Sequence, residues 1–109
     1  MKEGNSVQQT AHLFKLLSHP ARLRILDELR QGEACVCRLA VTLQQRQPYV
    51  SQQLMLLRAA GVAESRRDGV FIYYRLSDPR IVQVLDAILG PAGKPRHPSA
   101  CTCPECQQV

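Results

Sequence analysis

The stretch QPYVSQQLMLLRAAG, residues 47–61, predicts a helix with one packing face and one polar face. Pro48 suits the first position of a helix, because the N–H that proline lacks has no helical partner there. Gly61 suits the left-handed residue that often follows a helix. At about 100° per residue, Val50, Leu54 and Leu57 fall on one arc. The opposite arc contains no acidic residue and carries Pro48, Ser51, Gln52, Met55 and Arg58, with Tyr49 at its edge.

Two strands are predicted directly after this helix, at residues 62–67 and 70–76. The dipeptide Asp68-Gly69 between them is typical of a two-residue hairpin turn, and Arg66 and Arg67 lie beside it. A helix with an acid-free outer face, followed by a basic hairpin, indicates a winged helix-turn-helix of the α+β class, mainly α with a small β-hairpin. Such a helix fits the major groove and such a hairpin lies along the phosphates, so we predict a DNA-binding protein.

We expect the DNA contacts to come from this recognition helix and the hairpin. Ser51 and Gln52 are positioned to probe base edges, and Tyr49 to contact a thymine methyl or a phosphate. Contacts to phosphates fix the register on the duplex, and the arginines supply the charge for them. The predicted set is Gln47, Tyr49, Ser51, Gln52, Gln53, Arg58, Arg66 and Arg67.

Apolar periodicity and capping residues predict four further helices. The first follows Asn5 or Ser6 as its cap and ends near residue 17, and the second covers residues 20–30. A short helix at 36–43 precedes the recognition helix, which is the order of a helix-turn-helix. The last helix covers residues 79–89; it follows a Ser-Asp cap and begins with a proline.

The last predicted helix has an apolar stripe of about 160°, wider than the roughly 100° typical of a surface helix. The stripe consists of Ile81, Val82, Val84, Leu85, Ile88 and Leu89. A deeply buried core helix would explain this width. We favour a homodimer interface formed with the first helix, because the symmetry of the protein then predicts an inverted-repeat operator.

Composition agrees with a small DNA-binding domain. The 109 residues carry a formal net charge of +5, which favours a polyanionic partner. No stretch approaches the roughly 20 apolar residues of a membrane span, so we expect a cytoplasmic protein with no membrane partner. Residues 90–100 contain three prolines and two glycines. We therefore expect a folded domain at 1–89, followed by a flexible linker and cysteine-rich tail at 90–109.

Five cysteines in a cytoplasmic protein indicate metal or redox chemistry rather than structural disulfides. Cys35 and Cys37 fall at the start of the short helix at 36–43. In a regular helix, side chains two positions apart point about 200° away from each other. We therefore expect one ion to be bound by both sulfurs only if the first helical turn is unwound or never forms.

The tail offers three further thiolates, Cys101, Cys103 and Cys106. Thiolates are soft ligands that suit Zn(II) and heavier thiophilic ions. Three sulfurs, two from the pair and one from the tail, suit a pyramidal trivalent metalloid, whereas four suit Zn(II) or a larger soft divalent ion. Three alternatives stay open: small buried apolar roles for the pair, a separate Zn(II) at Cys103 and Cys106, and His97 as a further ligand.

Four segments together resemble the ArsR/SmtB family of metal- and metalloid-responsive repressors. They are LLSHPARLRIL at 16–26, CVCRL at 35–39, QPYVSQQL at 47–54 with RAAG at 58–61, and RRDGVFIYY at 66–74. The resemblance covers about residues 7–89. It implies a homodimer that represses by binding an inverted-repeat operator until an inducer releases the DNA.

In arsenic-sensing members the Cys-Val-Cys pair supplies two sulfurs for As(III), and the resemblance carries this role over to Cys35 and Cys37. The usual third cysteine close behind the pair is absent, since Arg38, Leu39 and Ala40 follow it. The N-terminal cysteines of cadmium- and lead-sensing members and the paired Asp/His ligands of zinc-sensing members are also missing. The remaining sulfur would then come from the tail. We expect As(III) or Sb(III) as inducer, with Cd(II), Pb(II) and Zn(II) as alternatives.

A cysteine-based redox or polysulfide sensor on the same scaffold is the main alternative. A disulfide between Cys35 and Cys37 within a helix would be strained, so a tail cysteine would be the partner. A winged helix that touches no DNA is a third possibility. The chain shows no nucleophile–base constellation, phosphate loop or paired carboxylates, so we expect no enzymatic activity.

Overall fold

The computed structural model describes residues 2–93, with side chains from Ser6 onward, and these residues form five helices and one small antiparallel sheet. The order is α1 (Lys2–Leu17), α2 (Pro20–Arg30), β1 (Ala34–Cys35), α3 (Val36–Leu43), α4 (Gln47–Ala59), β2 (Ala63–Asp68), β3 (Phe71–Leu76) and α5 (Pro79–Leu89). This order is the predicted winged helix-turn-helix. The predicted linker and tail lie outside the described residues from position 94 onward.

Most predicted helix bounds are confirmed, because the sequence carries recognisable capping residues and prolines at the helix ends. Proline occupies the first turn of α2, α4 and α5, and α4 begins at Gln47, one residue before Pro48. At the start of α5, Asp78 accepts the backbone N–H of Arg80 at 3.0 Å. The side-chain hydrogen bond from Arg80 lowers the pKa of the Asp78 carboxyl from its ordinary value. The predicted end of α1 at residue 17 is confirmed, but its predicted start is wrong, because the helix begins at Lys2 and neither Asn5 nor Ser6 precedes it as a cap.

The sheet has the strand order β1-β3-β2, with β3 in the centre. Asp68 pairs with Phe71, so the two turn residues are Gly69 and Val70, one position later than predicted. Gly69 has φ 63°, a left-handed conformation that glycine adopts at little steric cost. Strand β1 was not predicted, because two residues are too short to show an alternating pattern.

The core lies beneath α4. Val50, Leu54 and Leu57 are each 0% exposed, which confirms the packing arc of the recognition helix. They belong to one apolar cluster with buried residues of α2, α3, β2, β3 and α5, among them Ile25, Leu26, Leu39, Ala63 and Ile81. This burial fixes which face of α4 points outward.

The surplus apolar residues of α5 face outward in the single chain. Ile81 and Leu85 are buried, but Ile88 is 73% and Leu89 53% exposed, so a deeply buried core helix is excluded. Ile88 and Leu89 line an apolar groove with a volume of about 490 Å³. Phe14 of α1, which is 55% exposed, lines this groove as well. No helix in the described part of the chain combines the length and apolar character needed to cross a bilayer.

Replacing Leu54 with Ala should lower the free energy of unfolding by about 2–5 kcal/mol, because removing a fully buried side chain leaves a cavity. Met55, the next residue of α4, is 62% exposed. The control Met55→Ala should therefore change this free energy by about 0.5 kcal/mol or less. Urea unfolding followed by far-UV circular dichroism measures both, and equal losses would contradict the assigned packing face.

Candidate nucleic-acid interface and thiol site

The outer face of α4 is open to solvent and free of acidic side chains. Gln52, Met55 and Arg58 are exposed, and Tyr49 and Ser51 are half-buried at the edges of this face. The buried arc of the same helix holds it against the core. The face is therefore rigidly presented, polar and weakly basic, which suits contacts with base edges and phosphates.

Gln53 turns into the protein instead of facing outward. Its side chain is 7% exposed, and its Oε1 accepts a hydrogen bond from Arg22 Nε at 2.8 Å. Arg22 also donates to the backbone oxygen of Leu16 at 3.2 Å, so the pair ties α4 to α2 and to the end of α1. The structure corrects the prediction that Gln53 contacts DNA. The helical wheel already carried the signal, since position 53 falls beside Leu57 on the packing arc.

Arg66 connects the hairpin to the segment that precedes β1. Its Nε and Nη2 donate to the two carboxylate oxygens of Glu33 at 2.9 and 2.7 Å. The guanidinium carbon lies 4.4 Å from the centroid of the Tyr73 ring. Bidentate pairing of this kind fixes the direction of the guanidinium and offsets its charge. The Arg66 side chain is still 47% exposed, so its expected contact with phosphates stays a prediction.

Arg58 and Arg67 carry the exposed charge of this surface. Arg58 lies in the last turn of α4, and Arg67 lies on β2 beside the hairpin turn. Both are exposed, and neither forms an ion pair with another residue in the range 2–93. Gln47 is also exposed, at the N-terminal end of α4.

The two sulfurs of the cysteine pair lie side by side. Cys35 has extended backbone angles, φ −76° and ψ 157°, and is the N-cap of α3. Its Sγ lies 3.3 Å from Cys37 Sγ and accepts the backbone N–H of Arg38 at 3.3 Å. The expected conflict between shared ligation and a formed first turn is therefore wrong. The 200° separation applies to two helical residues, and Cys35 precedes the helix, so its side chain folds back over an intact turn.

A cavity of about 340 Å³ adjoins the sulfurs. Its lining combines the cysteine pair with the N-terminal end of α4 and the tip of the hairpin: Cys35, Val36, Cys37, Gln47, Ser51, Val70, Phe71 and Ile72. The thiol site thus shares walls with both elements that are predicted to read DNA. This proximity could not be read from the sequence, because the hairpin is more than thirty residues from the pair.

Cys35 and Cys37 are the cysteines of the range 2–93. Cys37 is disulfide-bonded, and Cys35 is buried, with 3% of its surface exposed. The predicted ligands Cys101, Cys103, Cys106 and His97 lie outside this range. Within that range, no cluster of three or more His, Cys, Asp or Glu side chains is arranged to hold a metal ion.

Three residues near the sulfurs were not assigned a role from the sequence. Glu33 and Tyr73 hold Arg66, as described above, and carry no distinctive sequence signal. Arg38 is 1% exposed, and its Nε and Nη2 have no hydrogen-bond partner among the described residues. An arginine in the otherwise apolar helix VCRLAVTL is a sequence feature that indicates an unusual environment, because arginine is rarely buried. It places a buried positive charge on the turn that Cys35 caps.

Comparison with known proteins agrees with this geometry. Residues 19–65 match the model of the family described as bacterial regulatory protein, arsR family. The biofilm growth-associated repressor of Agrobacterium fabrum is 42% identical over 80 residues, which cover 73% of this chain and 68% of that protein. An arsenic resistance transcriptional regulator of Pseudomonas putida is 44% identical over 78 residues, covering 71% of this chain and 60% of that protein.

A solved structure extends the agreement to the fold. The solution structure of a homodimeric winged helix-turn-helix DNA-binding domain from Mycobacterium bovis has a TM-score of 0.73 and 30% identity, covering 81% of this chain and 82% of that one. The relatives are named as regulators and repressors, which agrees with the prediction that the chain is not an enzyme. With its recognition helix, its hairpin wing and these relatives, the chain belongs to the arsR family of DNA-binding bacterial regulatory proteins.

Proposed function

We propose that this protein is a transcriptional repressor that binds an inverted-repeat operator as a homodimer and releases it when cysteine thiolates bind As(III) or Sb(III). The observation that carries the proposal is the 3.3 Å separation of Cys35 Sγ and Cys37 Sγ beside the cavity shared with α4 and the hairpin. The 44% identity to a regulator named for arsenic resistance supports the choice of inducer. Cd(II), Pb(II) and Zn(II) are the alternatives to be tested beside it.

The sulfur separation favours a pyramidal centre over a tetrahedral one. With bonds of about 2.3 Å to each sulfur, a 3.3 Å separation corresponds to an angle of about 92° at the bound centre. A tetrahedral centre with the same bonds would need a separation of about 3.8 Å. Trivalent arsenic and antimony carry a lone pair that compresses their bond angles towards a right angle, so this separation suits them once Cys37 is reduced to the thiol.

The N-cap position places a backbone N–H donor against the Cys35 sulfur. A thiolate, not a thiol, is the metal ligand, and N–H groups at a helix N-terminus stabilise negative charge. Cys35 Sγ already accepts one such N–H, from Arg38. We propose that the third sulfur comes from Cys101, Cys103 or Cys106, the three cysteines of the tail.

Release of DNA follows from where the sulfurs lie. Gln47 and Ser51, two of the proposed DNA contacts, line the same cavity as the cysteine pair. Ligation there alters the surroundings of the N-terminal end of α4 and of the hairpin tip, without any need to unwind α3. A coupling free energy of about 1–3 kcal/mol, common in allosteric proteins, corresponds to a change in operator affinity of about 5–150-fold.

The dimer sets the form of the operator. The exposed apolar groove between α1 and α5 is a suitable surface for a second copy, and the relative from Mycobacterium bovis is homodimeric. A two-fold dimer presents two copies of α4, so its operator is an inverted repeat. Ser51 and Gln52 would contact base edges, with Tyr49 and Gln47 beside them and Arg58 and Arg67 at phosphates.

Arsenite added to the reduced protein on operator DNA should weaken binding by about 5–150-fold in a gel-shift titration. Cys35→Ser and Cys37→Ser should bind the operator normally and fail to respond, because each removes one of the two described sulfurs. Serine variants of the three tail cysteines are tested in the same way, and the variant that loses the response identifies the third ligand. If Cys35→Ser or Cys37→Ser abolishes DNA binding itself, the cysteines are structural and the proposal fails.

Gln52→Ala should reduce binding to the operator more than binding to random DNA, because a base contact carries sequence information. Arg67→Ala should weaken both equally and lower the slope of affinity against salt by about one unit, as loss of a phosphate contact does. Fluorescence anisotropy at several salt concentrations measures both effects. Gln83→Ala, an exposed glutamine of α5, is the matched control. Equal losses on both DNAs for Gln52→Ala would contradict its base-reading role.

A thiol redox sensor is the second candidate, and the disulfide at Cys37 favours it. Two thiols would each lose a hydrogen to a peroxide, which is reduced to water, and the two sulfurs would join. Oxidation would act at the same site, since Cys37 lines the cavity beside α4.

Mass spectrometry distinguishes the two candidates. Trypsin cleaves after Arg30, Arg38 and Arg96, so peroxide should link peptide 31–38 to peptide 97–109 with the loss of two hydrogens. Cys37→Ser should lose this linkage, whereas Cys35→Ser should keep it. The redox candidate requires that the linked protein also releases the operator. Release by arsenite without release by peroxide would assign the site to metalloid sensing.

A further inference from the structure

We propose that Tyr73 and Arg66 form a side-chain relay that transmits the state of Cys35 to the hairpin. The inference rests on the proposed function for the nature of the signal, and it adds the route by which that signal reaches the wing. It adds Tyr73 and Glu33, to which the proposed function gives no contact with DNA or inducer. The relay is defined here as Cys35, Tyr73 and Arg66, together with Glu33.

Strand register aligns the relay across the sheet. Cys35 of β1 pairs directly with Tyr73 of β3, and Tyr73 pairs directly with Arg66 of β2. Residues directly opposite each other in antiparallel strands share one face of the sheet and contact through their side chains. One row of side chains therefore crosses all three strands, from the sulfur to the guanidinium.

The row is closely packed at the sulfur end. Cys35 is 3% and Tyr73 1% exposed, and the two form a small buried cluster with Cys37 and Phe71 packed against it. Close-packed interiors leave little free volume, so displacement of one side chain displaces its neighbour. The Tyr73 ring in turn lies 4.4 Å below the Arg66 guanidinium.

A second connection runs through Glu33, the residue immediately before β1. Glu33 precedes Cys35 by two residues and holds both Nε and Nη2 of Arg66. The segment that carries the sulfur therefore contacts Arg66 twice, through the Tyr73 ring and through the Glu33 carboxylate. If ligation of the Cys35 sulfur shifts β1, both the Tyr73 ring and the Glu33 carboxylate move relative to Arg66. Arg67, the proposed phosphate contact, follows Arg66 directly on β2.

The wing also offers a matched control outside this row. Glu64 and Arg75 are directly paired between β2 and β3 and form an ion pair. This pair has the same chemistry as Glu33 and Arg66, and it connects the two hairpin strands to each other instead of connecting them to β1. A change confined to the relay should affect Arg66 and leave Arg75 unaltered.

The first measurement follows the Nε–Hε signals of Arg66 and Arg75 by NMR in the full-length reduced protein. Arsenite is one perturbation and Cys35→Ala, which needs no inducer, is the other. Both should shift the Arg66 signal and leave the Arg75 signal in place. Glu33→Gln should reduce the shift at Arg66, because one of the two connections is weakened.

The second measurement compares operator affinity with and without arsenite. Glu33→Gln should reduce the arsenite-induced release by about 2–30-fold, the range found for residues along coupling routes, while arsenite binding is unchanged. Glu64→Gln should keep the wild-type release. The ultraviolet absorption of the sulfur-ligated complex reports arsenite binding separately from DNA release.

The outcomes separate the relay from the proposed function. If arsenite still releases operator DNA at wild-type strength in Glu33→Gln, and if arsenite does not move the Arg66 signal, the relay is overturned and metalloid sensing stays intact. An Arg66 signal that moves in Cys35→Ala while arsenite leaves operator binding unchanged supports the relay and overturns the proposed inducer. An equal effect of Glu64→Gln shows a general loss of wing stability and overturns the relay.

Discussion

At the junction of β1 and α3, the sulfur of Cys35 accepts the backbone N–H of Arg38, the third residue of the helix. This cap fixes three things at once. It ends a strand that pairs with β3, it begins the helix that precedes the recognition helix, and it turns the Cys35 sulfur towards Cys37. A side-chain acceptor at the N-cap satisfies an N–H that would otherwise lack a helical partner. The same atom is thus a structural acceptor and a candidate metalloid ligand.

The cap brings sensing chemistry and DNA-reading surfaces into direct contact. The cavity beside the sulfurs is walled by the N-terminal end of α4 and by the hairpin tip, and the sheet carries a continuous row of side chains from Cys35 to Arg66. Ligation that disturbs the sulfur cap then reaches the DNA-binding elements without a long-range rearrangement.

Local signals were sufficient for most of the fold. Prolines at helix starts, Gly61 after α4 and apolar residues at helical spacing predicted four of the five helices described here closely. The hairpin was predicted from a single Asp-Gly pair, but its turn lies one residue later, because the pairing of Asp68 with Phe71 extends β2. The start of α1 was missed because an early polar residue resembles a cap. Strand β1 has no pattern of its own and exists through its pairing with β3.

The sequence by itself determined the class of the protein, since helical periodicity, turn residues and charge are local properties that specify a winged helix-turn-helix and its outer face. It also identified the cysteine pair as the chemically distinctive feature. Only the tertiary structure decided that the two sulfurs meet, that Gln53 accepts a hydrogen bond from Arg22 and that Arg66 is held by Glu33. These facts depend on strand pairing and helix packing between segments distant in sequence. A helical wheel or a residue spacing contains no information about such contacts.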